Sequence, residues 1–250
     1  MFKKYHIPYS LDDPRTTLAH RDIILAKPFL KKIYERWYKQ FEKANANCKQ
    51  LPILEIGSGG GFLKEFLPNV ITSDILPLPN VDKVFSAEQM PFENESLGGI
   101  VMLNVFHHIP KPYLFLQEAQ RCLAKGGKVI MIEPANSALG RFIYKRFHHE
   151  PFDEHGGREI EPGNPLSNSN QALPHIYFER DREQFIKEYP LLKIESIRYH
   201  SPFTYVISGG VSRSAMLPTF CLPLVISVEA ILSPLSKQLG LFCTVELTKT

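Results

Sequence analysis

The chain has 250 residues, of which 44% are hydrophobic and 22% charged, and its formal net charge is +3. This composition excludes a disordered or collagen-like chain, and the length allows one large domain or two small ones. The 4 cysteines lie far apart and form no CxxC motif or Cys/His cluster, so the sequence indicates neither a disulfide framework nor a metal site. Without a signal-peptide pattern at the N-terminus, we expect a cytoplasmic protein.

The first fifty residues carry the positive charge, with 11 Lys/Arg against 5 Asp/Glu. Apolar residues recur there at steps of three and four, which predicts helix over residues 15–45. Pro28 is expected to divide this stretch or to begin its second helix. The charge excess is too small to indicate nucleic-acid binding by itself. We therefore expect residues 1–50 to form a helical lid on a domain that spans residues 51–250.

Residues 51–134 alternate between short apolar runs and helical segments. Strands are predicted at 53–56, 70–74, 84–85, 99–104 and 128–132, with helices at 62–67 and 111–124, the second ending at Gly126-Gly127. This alternation predicts an α/β fold with a doubly wound parallel sheet. The segment between Asp74 and Val84 is too short for a helical crossover and contains two prolines, so we expect a loop there.

The C-terminal part differs from residues 51–134 in its amino-acid composition. Residues 134–180 are rich in Gly, Pro, Asn and His, which favours loops. A helix is predicted over 181–189, and strands over 191–200 and 241–249. The apolar run 215–232 contains Pro218, Pro223 and Glu229, so we interpret it as a helical insert rather than a membrane span. Residues 135–180 and 201–240 are expected to be substrate-side or interface insertions.

A glycine-rich loop, from Glu55 to Gly61 (EIGSGGG), directly follows the first predicted strand. Glycines allow a tight turn and let main-chain N–H groups approach a ligand closely. Asp74 ends the next strand, where a carboxylate can accept hydrogen bonds from both hydroxyls of a ribose. Taken alone the pattern is weak, because NAD enzymes carry a similar one and an ordinary strand–helix turn remains an alternative.

Three further segments follow in order, namely 86–92 (SAEQMPF), 104–110 (NVFHHIP) and 121–134 (RCLAKGGKVIMIEP). Together with the glycine-rich loop they resemble class I S-adenosylmethionine-dependent methyltransferases, particularly those of small molecules, over about residues 51–134. The resemblance implies a three-layer Rossmann-like fold that closes with an antiparallel hairpin, here 191–200 and 241–249. It also implies S-adenosylmethionine as methyl donor and S-adenosylhomocysteine as product.

The resemblance implies roles for particular residues. The methionine part of the cofactor would be held by Glu55, Gly57, Ser58, Gly59 and Gly61, the ribose by Asp74, and the adenine by Ser86, Ala87 and Glu88, while Asn104 would lie near the sulfonium. Many members carry Asp at the position of Ser86, so the charged contact with adenine would be replaced here by a hydroxyl.

Methyl transfer in line requires that two substrates be oriented, and a general base is needed only if the acceptor retains a proton at the reacting atom. The candidates for such a base are His107, His108, His149 and Glu133. His149 belongs to a cluster, 148–152 (HHEPF), in a loop that would follow the fifth strand. For each candidate a structural role, as a packing histidine or a helix-capping carboxylate, remains an alternative.

Three hypotheses follow for the function. The first is an enzyme that methylates a small, partly apolar acceptor, since residues 142–205 are rich in aromatic side chains and 215–232 are apolar. The second is a nucleic-acid methyltransferase, although 104–107 (NVFH) lacks the Pro-Pro-aromatic character of enzymes that methylate amino groups of bases. The third is a non-catalytic cofactor-binding partner whose segment 215–240 contacts a protein or a membrane surface. The sequence does not indicate the oligomeric state.

Overall fold

The computed structural model describes residues 4–42, 50–161, 163–164 and 166–250. Their strands form one seven-stranded sheet of order β3-β2-β1-β4-β5-β7-β6. The strands are β1 (Ile53–Ile56), β2 (Ile71–Asp74), β3 (Lys83–Val84), β4 (Leu97–Leu103), β5 (Leu123–Pro134), β6 (Leu192–His200) and β7 (Phe242–Lys249). All neighbours pair in parallel except β7, which runs antiparallel to both β5 and β6. The predicted Rossmann-like sheet with its closing hairpin is confirmed.

Helices cover the sheet. They are α1 (Pro14–Ala26), α2 (Pro28–Phe41), α3 (Pro112–Cys122), α4 (Ala138–Phe147), α5 (Leu173–His175), α6 (Arg182–Glu188), α7 (Thr204–Ser208), α8 (Leu222–Ile231) and α9 (Ser236–Leu239). Pro28 stands at the first position of α2, where its missing N–H costs nothing. The predicted division of the N-terminal helix is therefore confirmed, while the end of the predicted stretch, residues 43–49, lies outside the described residues.

Two predicted boundaries are wrong. The helix predicted over 62–67 is a single 3-10 turn, Leu63–Glu65. Helix α3 ends at Cys122, and β5 already begins at Leu123, so the Gly126-Gly127 pair lies within the extended segment. Gly126 has a φ of +79°, which an irregularity in the pairing of β4 with β5 accommodates. The loop expected between β2 and β3 is present, and β3 is only two residues long.

The prediction of loops throughout 134–180 is also wrong, because this stretch contains helix α4. Ser137 caps the helix by accepting a hydrogen bond from the N–H of Gly140 at 2.7 Å. The high content of Gly, His and Pro around the helix concealed it, whereas the cap and the spacing of Ile143 and Phe147 were the available signals.

Helix α2 is the centre of one hydrophobic core. Its buried side chains are Phe29, Leu30, Ile33, Tyr34, Trp37, Tyr38 and Phe41. The Trp37 ring packs on Phe242 of β7, with centroids 4.9 Å apart, and on Tyr205 of α7 at 5.9 Å. Just before α2, the buried ammonium of Lys27 donates to the carbonyls of Gly210 and Arg213. Burial lowers the pKa of Lys27 to about 8. The first helices are thus packed against the last third of the chain.

The segment around α8 exposes large apolar side chains, with Phe220 82% and Ile231 76% accessible. Among the described residues, no helix by itself has the length and apolar character needed to cross a membrane. The pair Thr219–Ile231 and Ser233–Leu239 meets that test of length and composition only when joined, across a bend of 65°. The expected contact of 215–240 with a protein or a membrane surface stays a prediction.

Candidate cofactor and acceptor site

A cavity of about 320 Å³ opens where β1, β2 and β4 end. The order of the sheet reverses between β1 and β4, and ligands of doubly wound sheets bind in the crevice at such a point. The walls from the sheet side are the loop after β1, the end of β2, residues 85–87 and the end of β4. Helices α1 and α2 supply the opposite wall with Thr17, His20, Ile24, Tyr34 and Tyr38.

The glycine-rich loop has a backbone that other residues would not adopt. Gly57 has a φ of +65°, and a Cβ there would overlap the side chain of Val105. Gly59 also has a positive φ, and its N–H donates to the carboxylate of Asp74 at 2.9 Å. A Cβ on Gly60 would lie 2.9 Å from the main-chain nitrogen of Arg21 in α1. The loop therefore needs glycine both for its turn and for the close approach of α1.

Two carboxyl groups flank this loop, and both line the cavity. Glu55 is buried and accepts a hydrogen bond from the Ser58 hydroxyl at 2.7 Å. Burial, together with the charge of Asp74, raises the pKa of Glu55 to about 7. Asp74 accepts from the N–H groups of Gly59 and Leu76, and burial raises its pKa. A carboxylate has about four acceptor positions, so Asp74 retains acceptor capacity for a ligand.

The residues predicted for adenine divide between two places. Ser86 and Ala87 line the cavity, and the Ser86 hydroxyl accepts from the N–H of Glu88 at 3.2 Å. The Glu88 carboxylate instead accepts from the N–H of Lys111 at 2.8 Å, just before α3. The walls next to Ser86 are apolar side chains that the sequence analysis did not single out, namely Ile75, Leu76, Phe85 and Ile109.

Asn104 follows β4 and lines the cavity between its two sides. Its φ is +56°, a left-handed conformation that Asn tolerates better than most residues. Its buried Oδ1 has no hydrogen-bond partner among the described residues. An unpaired buried acceptor costs free energy, so this oxygen is available for a donor on a ligand.

His107 is buried behind the cavity wall, between two carboxylates. Its Nδ1 lies 2.6 Å from Oε2 of Glu133, and its Nε2 lies 3.3 Å from Oε2 of Glu150. Burial opposes the charged ring, but the two carboxylates outweigh it and raise the pKa of His107 to about 9. Glu133 also accepts the N–H groups of Val105 and Phe106 and is not exposed, so it fixes the end of β4 rather than facing the cavity.

His108 lines the cavity, unlike the neighbouring His107. Burial and the charge of His107 lower the pKa of His108 to about 4. His149 is 63% exposed and lies beside Glu150, outside the described cavity walls. Of the four predicted catalytic residues, His108 is thus the one that the described part of the chain places in the cavity wall.

The cavity has lining residues that the sequence analysis missed. Ile24, Tyr34, Tyr205 and Val211 line it, as does Leu103. They come from α1, α2 and the segment around α7, which are far apart in sequence. One available signal was the series Thr17, His20 and Ile24, which recurs at helical spacing and presents one face of α1 to the cavity.

Two surface segments meet over the cavity. The carboxylate of Asp12 accepts the N–H groups of Leu166 and Ser167 at 2.8 and 3.1 Å, and also the Ser167 hydroxyl. Leu166 and Asn168 line the cavity from this side. The segment before α1 therefore holds residues 166–168 in place. We call these residues the roof of the cavity.

A protein-family model described as a methyltransferase domain matches residues 26–200. No curated protein matches the chain. Geranyl diphosphate C-methyltransferase from Streptomyces coelicolor A3(2), solved with Mg²⁺, geranyl diphosphate and S-adenosylhomocysteine, superposes with a TM-score of 0.55. It is 9% identical, and the match covers 98% of this chain and 91% of that one.

A chain in the Haloferax volcanii complex of the Trm112 methyltransferase activator superposes with a TM-score of 0.51. It is 14% identical, with 96% of this chain and 98% of that chain covered. Identities this low show the fold, whereas the family match covers well over half of the sequence. The chain therefore belongs to the methyltransferase domain family and is a class I S-adenosylmethionine-dependent methyltransferase.

Proposed function

We propose that the chain methylates a small, partly apolar acceptor, which binds on the β4 side of the cavity. The observation that carries this proposal is the wall formed by Ile24, Tyr34, Leu103, Tyr205 and Val211. Pockets for small molecules are mostly apolar with a few polar groups that fix orientation. Here the polar groups at the same wall are His20 and His108.

We further propose that the β2 side of the cavity holds the cofactor. The Asp74 carboxylate retains acceptor capacity for the ribose hydroxyls, and the apolar side chains of Ile75 and Phe85 line the cavity with Ser86 and Ala87, as an adenine ring requires. Glu55 and the unpaired Oδ1 of Asn104 suit the ammonium of the methionine part. The glycine residues of the loop after Glu55 have no side chains, so a ligand can approach their main chain closely.

The bound cofactor supplies an activated methyl group, and the residues of the chain position the acceptor and the cofactor relative to each other. Leu103 and Asn104 are adjacent in the chain and both line the cavity, so an acceptor seated against Leu103 would lie next to the sulfonium end. Holding two reactants in such contact accelerates transfer by itself. His108 would orient a polar atom of the acceptor, because its Nδ1 faces the carbonyl of Asn168 at 3.2 Å.

The cofactor side is tested with Asp74→Ala. Loss of a charge-assisted hydrogen bond should weaken binding of S-adenosylhomocysteine by about 1.5–3 kcal/mol, which corresponds to roughly 10- to 150-fold in Kd by calorimetry. Asp181→Ala is the control, since that carboxylate pairs with Arg180 on the surface. An unchanged Kd for the Asp74 variant would contradict the assignment.

The acceptor side is tested with tritiated methyl donor and a cell extract. We expect label in a solvent-extractable metabolite, and we expect Val211→Phe to lower this transfer while leaving the Kd for S-adenosylhomocysteine unchanged. Val228→Phe on the exposed side of α8 is the matched control. Label that nucleases release would instead indicate a nucleic-acid acceptor, and tight cofactor binding without transfer to any extract would indicate a non-catalytic partner.

A further inference from the structure

The carboxylate of Glu150 is surrounded by imidazole nitrogens. Nε2 of His107 lies 3.3 Å from Oε2, and Nε2 of His108 lies 3.7 Å from Oε1. The ligand atoms of these three residues all lie within 4.8 Å of one another. His149 adds a third imidazole nitrogen, 3.7 Å from Oε1, at the exposed side of the cluster. No metal-ligand spacing is visible in the sequence, because the loop 148–152 brings Glu150 back to residues 43 and 42 positions earlier.

The spacing differs from that of direct ion pairs. Charge-assisted N–H···O hydrogen bonds between such groups are about 2.7–2.9 Å long, and the contact of His107 with Glu133, at 2.6 Å, is of that kind. Atoms that bind one ion at about 2.1 Å and at about 90–110° from each other lie roughly 3.0–3.4 Å apart. The 3.3 Å separation between His107 and Glu150 falls in this second range, whereas the 3.7 Å separation between His108 and the other oxygen of Glu150 lies slightly beyond it.

The outer contacts of both rings orient them for coordination. Nδ1 of His107 faces the carboxylate of Glu133, and Nδ1 of His108 faces the carbonyl oxygen of Asn168. Both partners are acceptors, so each Nδ1 carries the hydrogen. Nε2 of each ring then faces the carboxylate of Glu150. A bound ion would take the place of a hydrogen on Nε2, and metal-bound histidines usually donate their other N–H to an acceptor of this kind.

We propose that His107, His108 and Glu150 bind a divalent transition-metal ion, with Glu133 as the carboxylate that orients His107. Two imidazoles and one carboxylate suit zinc, cobalt, manganese or iron, whereas Mg²⁺ and Ca²⁺ prefer oxygen ligands. Three protein ligands leave coordination positions open, and His108 lines the cavity, so the ion would lie at the acceptor wall. It would there bind a polar atom of the acceptor. Binding of the ion itself does not depend on the proposed acceptor.

His148 is not part of the proposed ligand set. Its Nδ1 lies 3.9 Å from Glu150, but it accepts a hydrogen bond from the side-chain amide of Gln171 at 2.9 Å. His149 has an exposed side chain and is placed to become a fourth ligand or to lie on the entry path of the ion.

The test uses full-length, tag-free protein that has been dialysed against a chelator and then titrated with Co²⁺, followed by visible absorption, and with Zn²⁺, followed by calorimetry. We expect one equivalent of either ion to bind, with d–d absorption bands for Co²⁺. His108→Gln and Glu150→Gln should each weaken binding by at least tenfold, and Glu133→Gln by about 10- to 100-fold. His155→Gln, at a side chain that is 88% exposed, is the control and should bind as the wild type does.

Absence of stoichiometric binding by the wild type would overturn the proposal, as would equal affinity in the His108 and Glu150 variants. Circular dichroism and S-adenosylhomocysteine binding check that each variant is folded. Should Glu150→Gln fail to fold, His108→Gln decides, because that ring lies at the cavity wall. Metal binding and methyl transfer are measured separately, so failure of one is distinguishable from failure of the other.

Discussion

The two sides of the cavity are built in different ways. The proposed cofactor side consists of strand ends and main chain from residues 55–87, and its shape depends on glycine conformations and on two buried carboxyl groups. The proposed acceptor side consists of side chains from α1, α2, the end of β4 and the segment around α7, which are far apart in the sequence. Backbone changes should therefore damage the first side, whereas the second should respond to packing and to the loops that hold it.

The largest effect is expected from Gly57→Ala on the cofactor side. A left-handed φ costs an Ala about 1–2 kcal/mol, and the overlap of the new Cβ with Val105 adds about 1–3 kcal/mol. Gly126→Ala is the matched control, since it shares the positive φ but its Cβ would meet nothing within 4 Å. Urea unfolding of both variants measures the difference in the free energy of unfolding. Equal losses of stability would show that Val105 moves aside without cost.

The pH dependence of stability should be changed next most strongly by Glu55→Gln. The pKa of Glu55 rises from 4.5 in the unfolded chain to about 7 in the fold, because burial disfavours the charge. The unfolded chain therefore loses its proton first, and the fold loses about 3 kcal/mol between pH 5 and pH 8. The variant should lack this decline in the free energy of unfolding, and an unaltered pH profile would contradict an ionisable Glu55.

In β6, at the edge of the sheet, His200→Gln should act in the opposite pH range. Burial, with the charges of Arg198 and Arg36, lowers the pKa of His200 from 6.5 to about 4. The unfolded chain takes up its proton first as the pH falls, so the fold loses about 2 kcal/mol between pH 7.5 and pH 5. Urea unfolding at both pH values should show a smaller loss in the variant. The exposed His155→Gln should leave the loss as in the wild type.

The smallest effect is expected at the roof of the cavity, from Asp12→Asn. Removing the charge weakens the hydrogen bonds from Leu166 and Ser167 by about 1 kcal/mol in total. Hydrogen exchange at residues 166–168 should become faster, and binding of S-adenosylhomocysteine a few times weaker. Asp13→Asn is the control, because Asp13 caps α1 through the N–H of Arg15 and an Asn can do the same. Equal exchange in both variants would show that Asp12 does not hold the roof.

The difference between the two sides of the cavity also determines which parts of the structure could be predicted from the sequence. The strands and their parallel order follow from local apolar runs that alternate with helices, the closing hairpin is implied by the family resemblance, and the structure has all of them. The acceptor wall depends on contacts such as Trp37 with Phe242, which no local pattern encodes. Glu150 beside His107 is a further example, since the loop that returns it has no periodicity. The sequence analysis predicted loops where helix α4 lies, because the Gly, His and Pro content around the helix favoured loops. The cap at Ser137 was given less weight than this composition.

The packing of α2 has a consequence for synthesis on the ribosome. Helix α2 leaves the exit tunnel early, yet Trp37 contacts Phe242 and Gln40 accepts a hydrogen bond from the Thr244 hydroxyl at 3.0 Å, more than two hundred residues later. The nascent chain cannot complete the burial of this aromatic face until β7 has emerged. Contacts of such long sequence separation slow folding and leave apolar surface exposed meanwhile. The aromatic face of α2 therefore lacks part of its cover until β7 has been made.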